Sequence, residues 1–163
     1  QLLTERPLGE ITVEEVSRRA GISRGLLFNY FPTRRDYHLA IIRAAMRRML
    51  PRKKGVILST ASGTGIRGQP KGSAYSASKA GIIGFTRAAS LEILNSGVRI
   101  NCFGPGATDT PLWRVGKSEE DIKRLLAAGY VYQPDEFSNV VVYLASDLSA
   151  PLNGEFISRD LHR

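Results

Sequence analysis

Cysteine is almost missing from this chain of 163 residues, since Cys102 is its only one. A single cysteine excludes a framework of intrachain disulfides and fits a reducing compartment. No apolar run approaches the roughly 20 residues that a membrane-spanning helix needs, and no signal-peptide pattern opens the sequence. We therefore expect a cytoplasmic protein with no membrane partner, and we predict no metal site.

Positive charge is unevenly distributed along the chain, whose formal net charge is +8. Residues 1–54 carry 12 Lys and Arg against 5 Asp and Glu, whereas residues 55–163 carry 11 against 10. Concentrated positive charge attracts phosphate backbones through counterion release, which indicates a polyanion partner for the first third. A solvated basic surface is the alternative interpretation. The apolar share of 42% is high enough for a folded core.

The first 50 residues predict three helices. The first covers residues 11–20, and Gly21 provides the left-handed backbone that ends it. Ser23 is a suitable cap for a second helix that runs to about Tyr30, and the third extends from Thr33 through Met49. Two short helices joined by a tight turn containing glycine form the unit that places a recognition helix in the DNA major groove.

Residues 12–32, with the sequence TVEEVSRRAGISRGLLFNYFP, resemble the DNA-binding region of TetR-type transcriptional regulators. The resemblance implies a set of residues on or beside the DNA-facing helix, namely Ser23, Arg24, Gly25, Phe28, Asn29 and Tyr30. Arginine can contact phosphate or a guanine edge, asparagine can pair with adenine, and tyrosine can donate to phosphate. For Phe28, packing in the protein core is as good an interpretation as contact with DNA. Because only residues 1–5 match the end of the family's first helix, and no dimerisation domain follows, we expect weak, salt-sensitive DNA binding.

Residues 55–163 predict alternating strands and helices, a pattern typical of an α/β layer arrangement. Pro51 and the charges that follow it mark a junction at residues 51–54. The predicted strands are residues 55–59, 97–103 and 154–158, and the predicted helices are residues 73–94 and 135–146. The helix at 73–94 is rich in alanine and glycine, which predicts close packing against another helix and a homo-oligomer formed through it.

Ser62, Tyr75 and Lys79 are the chemically informative residues of this segment. Tyr75 and Lys79 are four residues apart, which puts them on one face of a helix. An ammonium beside a phenol favours the phenolate, so Tyr75 can exchange a proton with a substrate oxygen. Ser62 follows a strand and can donate a hydrogen bond to that oxygen. The alternative interpretation of an isolated Tyr-x-x-x-Lys is a pair of surface side chains without a catalytic role.

Several short stretches together resemble the short-chain dehydrogenase/reductase family over nearly all of residues 55–160. These are STAS at 59–62, YSASK at 75–79, VRIN at 98–101, PG at 105–106 with Thr110, and YLASD at 143–147. The resemblance implies catalytic roles for Ser62, Tyr75 and Lys79 and a cofactor that is either NAD or NADP. It implies that Lys79 also binds the nicotinamide ribose, and that Pro105, Gly106, Thr108 and Thr110 surround the nicotinamide. Trp113 falls in the loop that shapes the substrate pocket, with a hydrophobic plug as the alternative.

The glycine-rich turn that holds the cofactor pyrophosphate in this family has no counterpart here. Residues 63–68 have a similar glycine spacing but follow the catalytic strand, so we interpret them as an ordinary loop of the family. The retained strands come from one side of the family sheet, which predicts an exposed strand edge at residues 55–59.

The predicted fold is therefore mixed. A small all-α helix-turn-helix unit at residues 1–50, with its first helix truncated, precedes a partial α/β segment at 55–163 with a truncated, Rossmann-like parallel sheet. The first functional hypothesis is DNA binding by a regulator-like unit fused to a dehydrogenase remnant that is inactive alone. The alternatives are an NAD(P)-dependent oxidoreductase that works when complemented by another chain, and a fusion artefact without independent function.

Overall fold

The computed structural model describes residues 13–21, 23, 25–26 and 34–159. Contacts divide the chain into two compact units, Gln1–Arg48 and Met49–Arg163. Within these described ranges, no helix is long and apolar enough to cross a membrane.

The first unit contains helices α1, Val13–Arg19, and α2, Arg34–Met49. α2 runs to the end of this unit, and its last residue, Met49, is the first residue of the second unit. α1 is followed by Gly21, whose φ of 66° is the left-handed conformation predicted from the sequence. Ser23 Oγ accepts a hydrogen bond of 3.0 Å from the Leu26 amide, which is the geometry of a helix cap. The predicted second helix falls mostly outside the described residues, so the helix-turn-helix unit stays a prediction.

The second unit is built on a parallel sheet of three strands in the order β1-β2-β3. The strands are β1 (Gly55–Thr60), β2 (Val98–Gly104) and β3 (Phe156–Ser158). The helices that surround them are α3 (Thr64–Arg67), α4 (Ser73–Glu92), α5 (Pro111–Arg114), α6 (Glu119–Ala127) and α7 (Asp135–Ala145), followed by a 3₁₀ turn at Asp147–Ser149. The three predicted strands and the helices α4 and α7 are confirmed within about two residues at each end, and the sheet is parallel as expected.

The core of this unit is centred on β2. Ile100, Asn101 and Cys102 are at most 1% exposed, and burial raises the pKa of the Cys102 thiol above its ordinary value. β1 is less protected, because all but the last of its residues are half-buried and the last is exposed. Among the described strands β1 bonds only to β2, so its other edge has no strand partner.

Arg99 joins β2 to the end of α7 and to the segment that follows it. Its guanidinium donates to the backbone carbonyls of Ser146 at 2.9 Å and Ser149 at 3.0 Å, and to those of Leu144 and Leu152 at 3.4 Å. It also donates to the Ser149 hydroxyl at 3.1 Å. One side chain therefore adds a charged donor to carbonyl groups at the end of α7 and in the 3₁₀ turn that follows it.

Asn101, the next residue of β2, is fully buried and bonds the same returning segment. Its Nδ2 donates to the Leu152 carbonyl at 2.9 Å, and its Oδ1 accepts from the Glu155 amide at 2.9 Å. A buried amide with both ends paired fixes the register in which β3 adds to β2.

Candidate active site

The predicted catalytic and cofactor residues follow two neighbouring parallel strands at the same edge of the sheet. Thr60 of β1 pairs with Phe103 of β2, and the Ala61 amide donates to the Phe103 carbonyl at 2.7 Å. Ser62 comes after β1, and Pro105 comes after β2. In open parallel sheets, ligands bind at this carboxyl edge.

Ser62 is half-buried, and its hydroxyl oxygen accepts two hydrogen bonds. The Thr64 amide donates to it at 3.3 Å, and the Thr64 hydroxyl donates at 3.1 Å. Because Ser62 Oγ is the acceptor in both bonds, its own proton is left for another acceptor. The arrangement orients the hydroxyl at the start of α3 and leaves it able to donate to a substrate oxygen.

Tyr75 and Lys79 lie one turn apart on α4, as the sequence spacing predicts. Lys79 Nζ is 5.5 Å from the centroid of the Tyr75 ring and donates to the Thr60 carbonyl at 3.0 Å. This bond ties the middle of α4 to the last residue of β1. The Tyr75 side chain is 50% exposed, so its phenol is accessible to a ligand. The structure thus brings the tyrosine and the lysine together beside the strand end that precedes Ser62.

Gly65 in α3 packs directly on the backbone of α4. A Cβ added at Gly65 would lie 2.7 Å from Ala80 N and 2.7 Å from the Lys79 carbonyl carbon. Real Cβ atoms do not approach backbone atoms so closely, so only glycine fits. Contact between the two helices therefore explains why residue 65, within the 63–68 stretch, is a glycine.

Replacing Gly65 with alanine is expected to destabilise the protein by about 1–3 kcal/mol, because α3 and α4 must separate to admit the methyl group. Urea denaturation followed by circular dichroism measures the effect. Gly81→Ala is the matched control, because an added Cβ at that position of α4 meets no atom within 4 Å. An equal loss of stability in both variants would contradict the packing argument.

The backbone amides at the start of α3 are already bonded within the loop. Thr64 N donates to Ser62 Oγ, Gly65 N donates to the Ser62 carbonyl at 2.9 Å, and Ile66 N and Arg67 N donate to the Gly63 carbonyl. A phosphate would therefore find no free amide in this short stretch. The structure forms helix α3 within the stretch predicted as a loop.

The loop after β2 contains the four residues assigned to the nicotinamide, and all of them are half-buried. Gly106 has a φ of 80°, and the Thr108 hydroxyl donates to its carbonyl at 3.3 Å. Thr110 Oγ1 accepts from the Trp113 amide at 3.2 Å and so caps α5. Its hydroxyl proton remains available, as do two of the three protons on Lys79 Nζ. Such donors can bind the carboxamide and the ribose hydroxyls of a nicotinamide nucleotide. The residues present therefore fit the nicotinamide end of the cofactor.

Asp109 and Arg114 form an ion pair that the sequence did not predict. Arg114 Nε lies 2.6 Å from Asp109 Oδ1, and Arg114 Nη2 lies 2.7 Å from Asp109 Oδ2. The Asp109 side chain is only 8% exposed, and Gln133 Nε2 lies 3.5 Å from the same carboxylate. Hydrogen bonding to Arg114 holds the pKa of Asp109 below its ordinary value and raises the pKa of Arg114. A separation of five residues across a helix cap corresponds to no regular periodicity, so no sequence signal pointed to this pair.

A second ionic contact lies beside it. Arg159 Nη2 is 3.0 Å from Glu136 Oε2, and its guanidinium stacks 3.6 Å from the centroid of the Tyr132 ring. The Gln133 amide donates to Glu136 Oε1 at 3.0 Å, which with the Arg159 contact lowers the pKa of Glu136. The Arg159 amide donates to the Gly104 carbonyl, so this contact reaches the end of β2.

Trp113 is half-buried on α5, with the Lys117 ammonium 4.7 Å from its ring centroid. Beside it lies an open cavity of about 460 Å³, lined by Asp109, Thr110, Pro111, Arg114, Gln133 and Pro134.

In the part of the chain that the structure describes, no cluster of three His, Cys, Asp or Glu residues is placed to hold a metal ion.

Of the residues assigned to DNA, the structure describes Ser23 and Gly25, which are both exposed. The assignments of Arg24, Phe28, Asn29 and Tyr30 lie outside the described residues.

Residues 38–161 match the family described as Enoyl-(Acyl carrier protein) reductase. The chain belongs to the short-chain dehydrogenase/reductase family. Its fold agrees with solved members of that family. A 3-oxoacyl-(acyl-carrier-protein) reductase from Brucella melitensis superposes with a TM-score of 0.64 at 28% identity, covering 73% of this chain and 46% of that one. An actinorhodin polyketide ketoreductase solved with NADPH superposes with a TM-score of 0.61 at 31% identity, covering 68% and 48%.

Two curated relatives extend the family similarity to most of the chain. The 3-oxoacyl-(acyl-carrier-protein) reductase of Chlamydia trachomatis is 30% identical, and the alignment covers 91% of this chain and 64% of the relative. An acetoacetyl-CoA reductase from an Acinetobacter species is 32% identical, covering 96% of this chain and 67% of the relative. The chain therefore spans about two thirds of the length of these reductases.

Residues 1–40 match a second family, the bacterial regulatory proteins of the tetR family. The two matches make the chain a chimera of TetR-type and short-chain dehydrogenase/reductase segments, as the sequence predicted. They overlap at residues 38–40, inside α2. The boundary between the two matches therefore falls within α2.

Proposed function

We propose that Ser62, Tyr75 and Lys79 form the acid–base half of an NAD(P)-dependent carbonyl reductase site. The site acts when a nucleotide-binding half is supplied by another polypeptide. The observation that carries this proposal is the Lys79 ammonium, bonded to the end of β1 and held beside an accessible Tyr75. The Ser62 hydroxyl, with its proton unused, belongs to the same strand end.

The chemistry assigned to these residues is proton transfer during reduction of a ketone. NAD(P)H, when bound, supplies the hydride that adds to the carbonyl carbon. Tyr75 gives its phenolic proton to the carbonyl oxygen, and the product is an alcohol. Ser62 donates a hydrogen bond to the same oxygen and so fixes its position. The positive charge of Lys79 stabilises the phenolate that remains, and its spare protons are donors for the ribose hydroxyls.

The pyrophosphate end of the cofactor needs a partner. The amides of residues 64–67 are already bonded within their own loop and helix, so this glycine-containing stretch offers the phosphates no cradle. The outer edge of β1 offers a row of backbone donors and acceptors to one more parallel strand. A nucleotide-binding half that adds a strand at this edge would complete both the sheet and the cofactor site.

The substrate class we assign is a 3-oxoacyl thioester. The names of the two curated reductases, and of the Brucella structure, specify 3-oxoacyl or acetoacetyl groups. Acetoacetyl-CoA is therefore the probe of choice.

A complementation assay tests the proposal. The purified chain is mixed with the separately purified nucleotide-binding half of the Chlamydia reductase, and NADPH consumption is followed with acetoacetyl-CoA. Turnover should require both components and should depend on the concentration of each. If the mixture has no activity while the two chains form a complex, the proposal is wrong.

DNA binding is a second candidate function, favoured by the charge and exposure of α2. Arg43, Arg47 and Arg48 are all exposed on this helix. Ten Lys and Arg residues, and no acidic residue, lie between Asp36 and Glu92. Such a run attracts phosphate, and the turn at Gly21 and Ser23 precedes the segment assigned to the recognition helix.

Substituting both Arg47 and Arg48 with glutamine is expected to weaken binding to duplex DNA. Each lost phosphate contact should reduce the slope of log K against log salt by about 0.9, so the double variant should lose roughly 2 units. A gel-shift series across salt concentrations gives the slope. The double substitution of Lys123 and Arg124, an adjacent exposed pair on α6, is the matched control. Equal slopes for all three proteins would exclude a role for α2 in DNA binding.

A further inference from the structure

Helix α5 lies next to the proposed cofactor loop but is not held by apolar burial. Leu112 is 84% exposed and Val115, which follows the helix, is 71% exposed. The helix is only four residues long, so its own hydrogen bonds cannot stabilise it. Other contacts must therefore fix its position.

The Asp109–Arg114 pair is placed to provide that contact. Asp109 precedes α5 and Arg114 is its last residue, so the two parallel N–H···O bonds close the helix back onto the loop. A bidentate arginine–carboxylate pair is geometrically specific. The Asp109 side chain is 8% exposed and the Arg114 side chain 52% exposed, so water reaches the guanidinium but hardly the carboxylate. Thr110, which caps α5, lies between the two charged residues.

The loop end of this pair is fixed to the body of the second unit. The Asp109 amide donates to the Tyr132 carbonyl at 2.8 Å, and the Tyr132 amide donates to the Ala107 carbonyl at 2.9 Å. Thr108 and Tyr132 form an isolated parallel bridge. Tyr132 is itself 6% exposed and stacked on Arg159. Asp109 is thus rigidly placed, and Arg114 connects α5 to it.

We infer that Asp109 and Arg114 are positioning residues of the proposed reductase. Their ion pair fixes Thr110 and α5 beside the nicotinamide end of the cofactor. The role in positioning rests on the proposed function, whereas the holding of α5 does not. Neither charged group takes part in the proton or hydride transfer in this assignment. The pair acts through the hydroxyl of Thr110 and the backbone around it.

The pair should respond to acid. Arg114 keeps the pKa of Asp109 low, so the pair is intact above the ordinary aspartate pKa and is lost as pH falls through the lower value of the folded protein. The other groups facing the pair are the neutral Gln133 and the carboxylate of Glu119, which acts on Arg114 from α6. Glu136 and Arg159 neutralise each other nearby.

Trp113 is the only tryptophan of the chain and lies on α5, so its fluorescence reports this helix directly. In the wild type, quenching of Trp113 by acrylamide should be low at neutral pH and rise only in strong acid. In Arg114→Gln it should be several-fold higher at neutral pH and nearly independent of acid. Arg114→Lys, which keeps the charge and one hydrogen bond, should be intermediate. Arg124→Gln removes the same charge from an exposed, single-contact pair of 2.7 Å with Asp121 on α6, away from α5, and is the control.

A kinetic readout separates positioning from simple support of the helix. In the complemented reductase, Arg114→Gln should raise the KM for NADPH, with partial rescue in Arg114→Lys and no change in Arg124→Gln. If quenching in Arg114→Gln equals that of the control, the pair does not hold α5 and the inference is wrong. If quenching rises but the KM is unchanged, the positioning role is wrong. Should the wild type show no turnover, the reductase proposal fails, and the fluorescence result still decides whether the pair holds α5.

Discussion

Tyr75→Phe is expected to lower the turnover number of the complemented reductase by about a hundred- to ten-thousand-fold, the usual contribution of a positioned general acid. Phenylalanine keeps the ring and the contact with Lys79 but has no proton to give to the carbonyl oxygen. The structure places the Tyr75 side chain half in solvent, so the loss of one hydroxyl should leave stability unchanged. Steady-state kinetics with NADPH and acetoacetyl-CoA measures the effect.

Tyr130→Phe is the matched control for this variant. Tyr130 is 61% exposed, lies after α6, and has no place in the proposed chemistry. Its substitution should leave kcat within a factor of about two, as for surface changes in general. Retention of full activity by Tyr75→Phe would show that another group, or water, supplies the proton.

Arg99→Ala is expected to destabilise the second unit by roughly 3–5 kcal/mol, because a charged donor that serves five acceptors is removed at once. The Ser146 carbonyl loses its closest partner, the Ser149 carbonyl keeps only the Leu152 amide, and the end of α7 is no longer held to β2. Urea denaturation monitored by circular dichroism gives the free energy of unfolding.

Two further variants test this explanation. Arg99→Lys keeps the charge but cannot reach acceptors on several sides, so its destabilisation should be smaller than that of alanine. Arg124→Ala removes an arginine of an exposed ion pair and should cost about 1 kcal/mol or less. If Arg99→Ala were no worse than Arg124→Ala, the bonds of Arg99 would contribute little to stability.

The regular elements of the second unit were predictable because their signals are local. The apolar run of β1 and the small-residue pattern of α4 mark buried or closely packed elements. Helices α3 and α5 were not predicted, since four residues are too few to show a helical period. Helix α6 was also missed, although Ser118 caps it and three acidic residues open it. These capping signals were present in the sequence and would have identified it.

In the candidate site, too, the residues with a local sequence signal were predictable and the others were not. Tyr75 and Lys79 were identifiable because four-residue spacing fixes a shared helix face. The roles of Gly65 and of the Asp109–Arg114 pair depend on which segments pack together, and no spacing in the sequence encodes that. The 63–68 stretch shows the difference most clearly. Its position after the catalytic strand indicated an ordinary loop of the family, but no sequence signal showed that Gly65 is required by contact with Lys79 and Ala80.

The position of β2 in the sheet has a consequence for how the protein folds during synthesis. β2 ends at Gly104, but its second neighbour begins only at Phe156, after three helices have been made. Pairing over such a separation requires closure of a long loop and is slow. Until then one edge of β2 is open. The carbonyl groups at residues 144–152 that accept hydrogen bonds from Arg99 and Asn101 have not yet been synthesised. A chain stalled between these two points would carry a central strand with one open edge, and such edges associate with other extended chains.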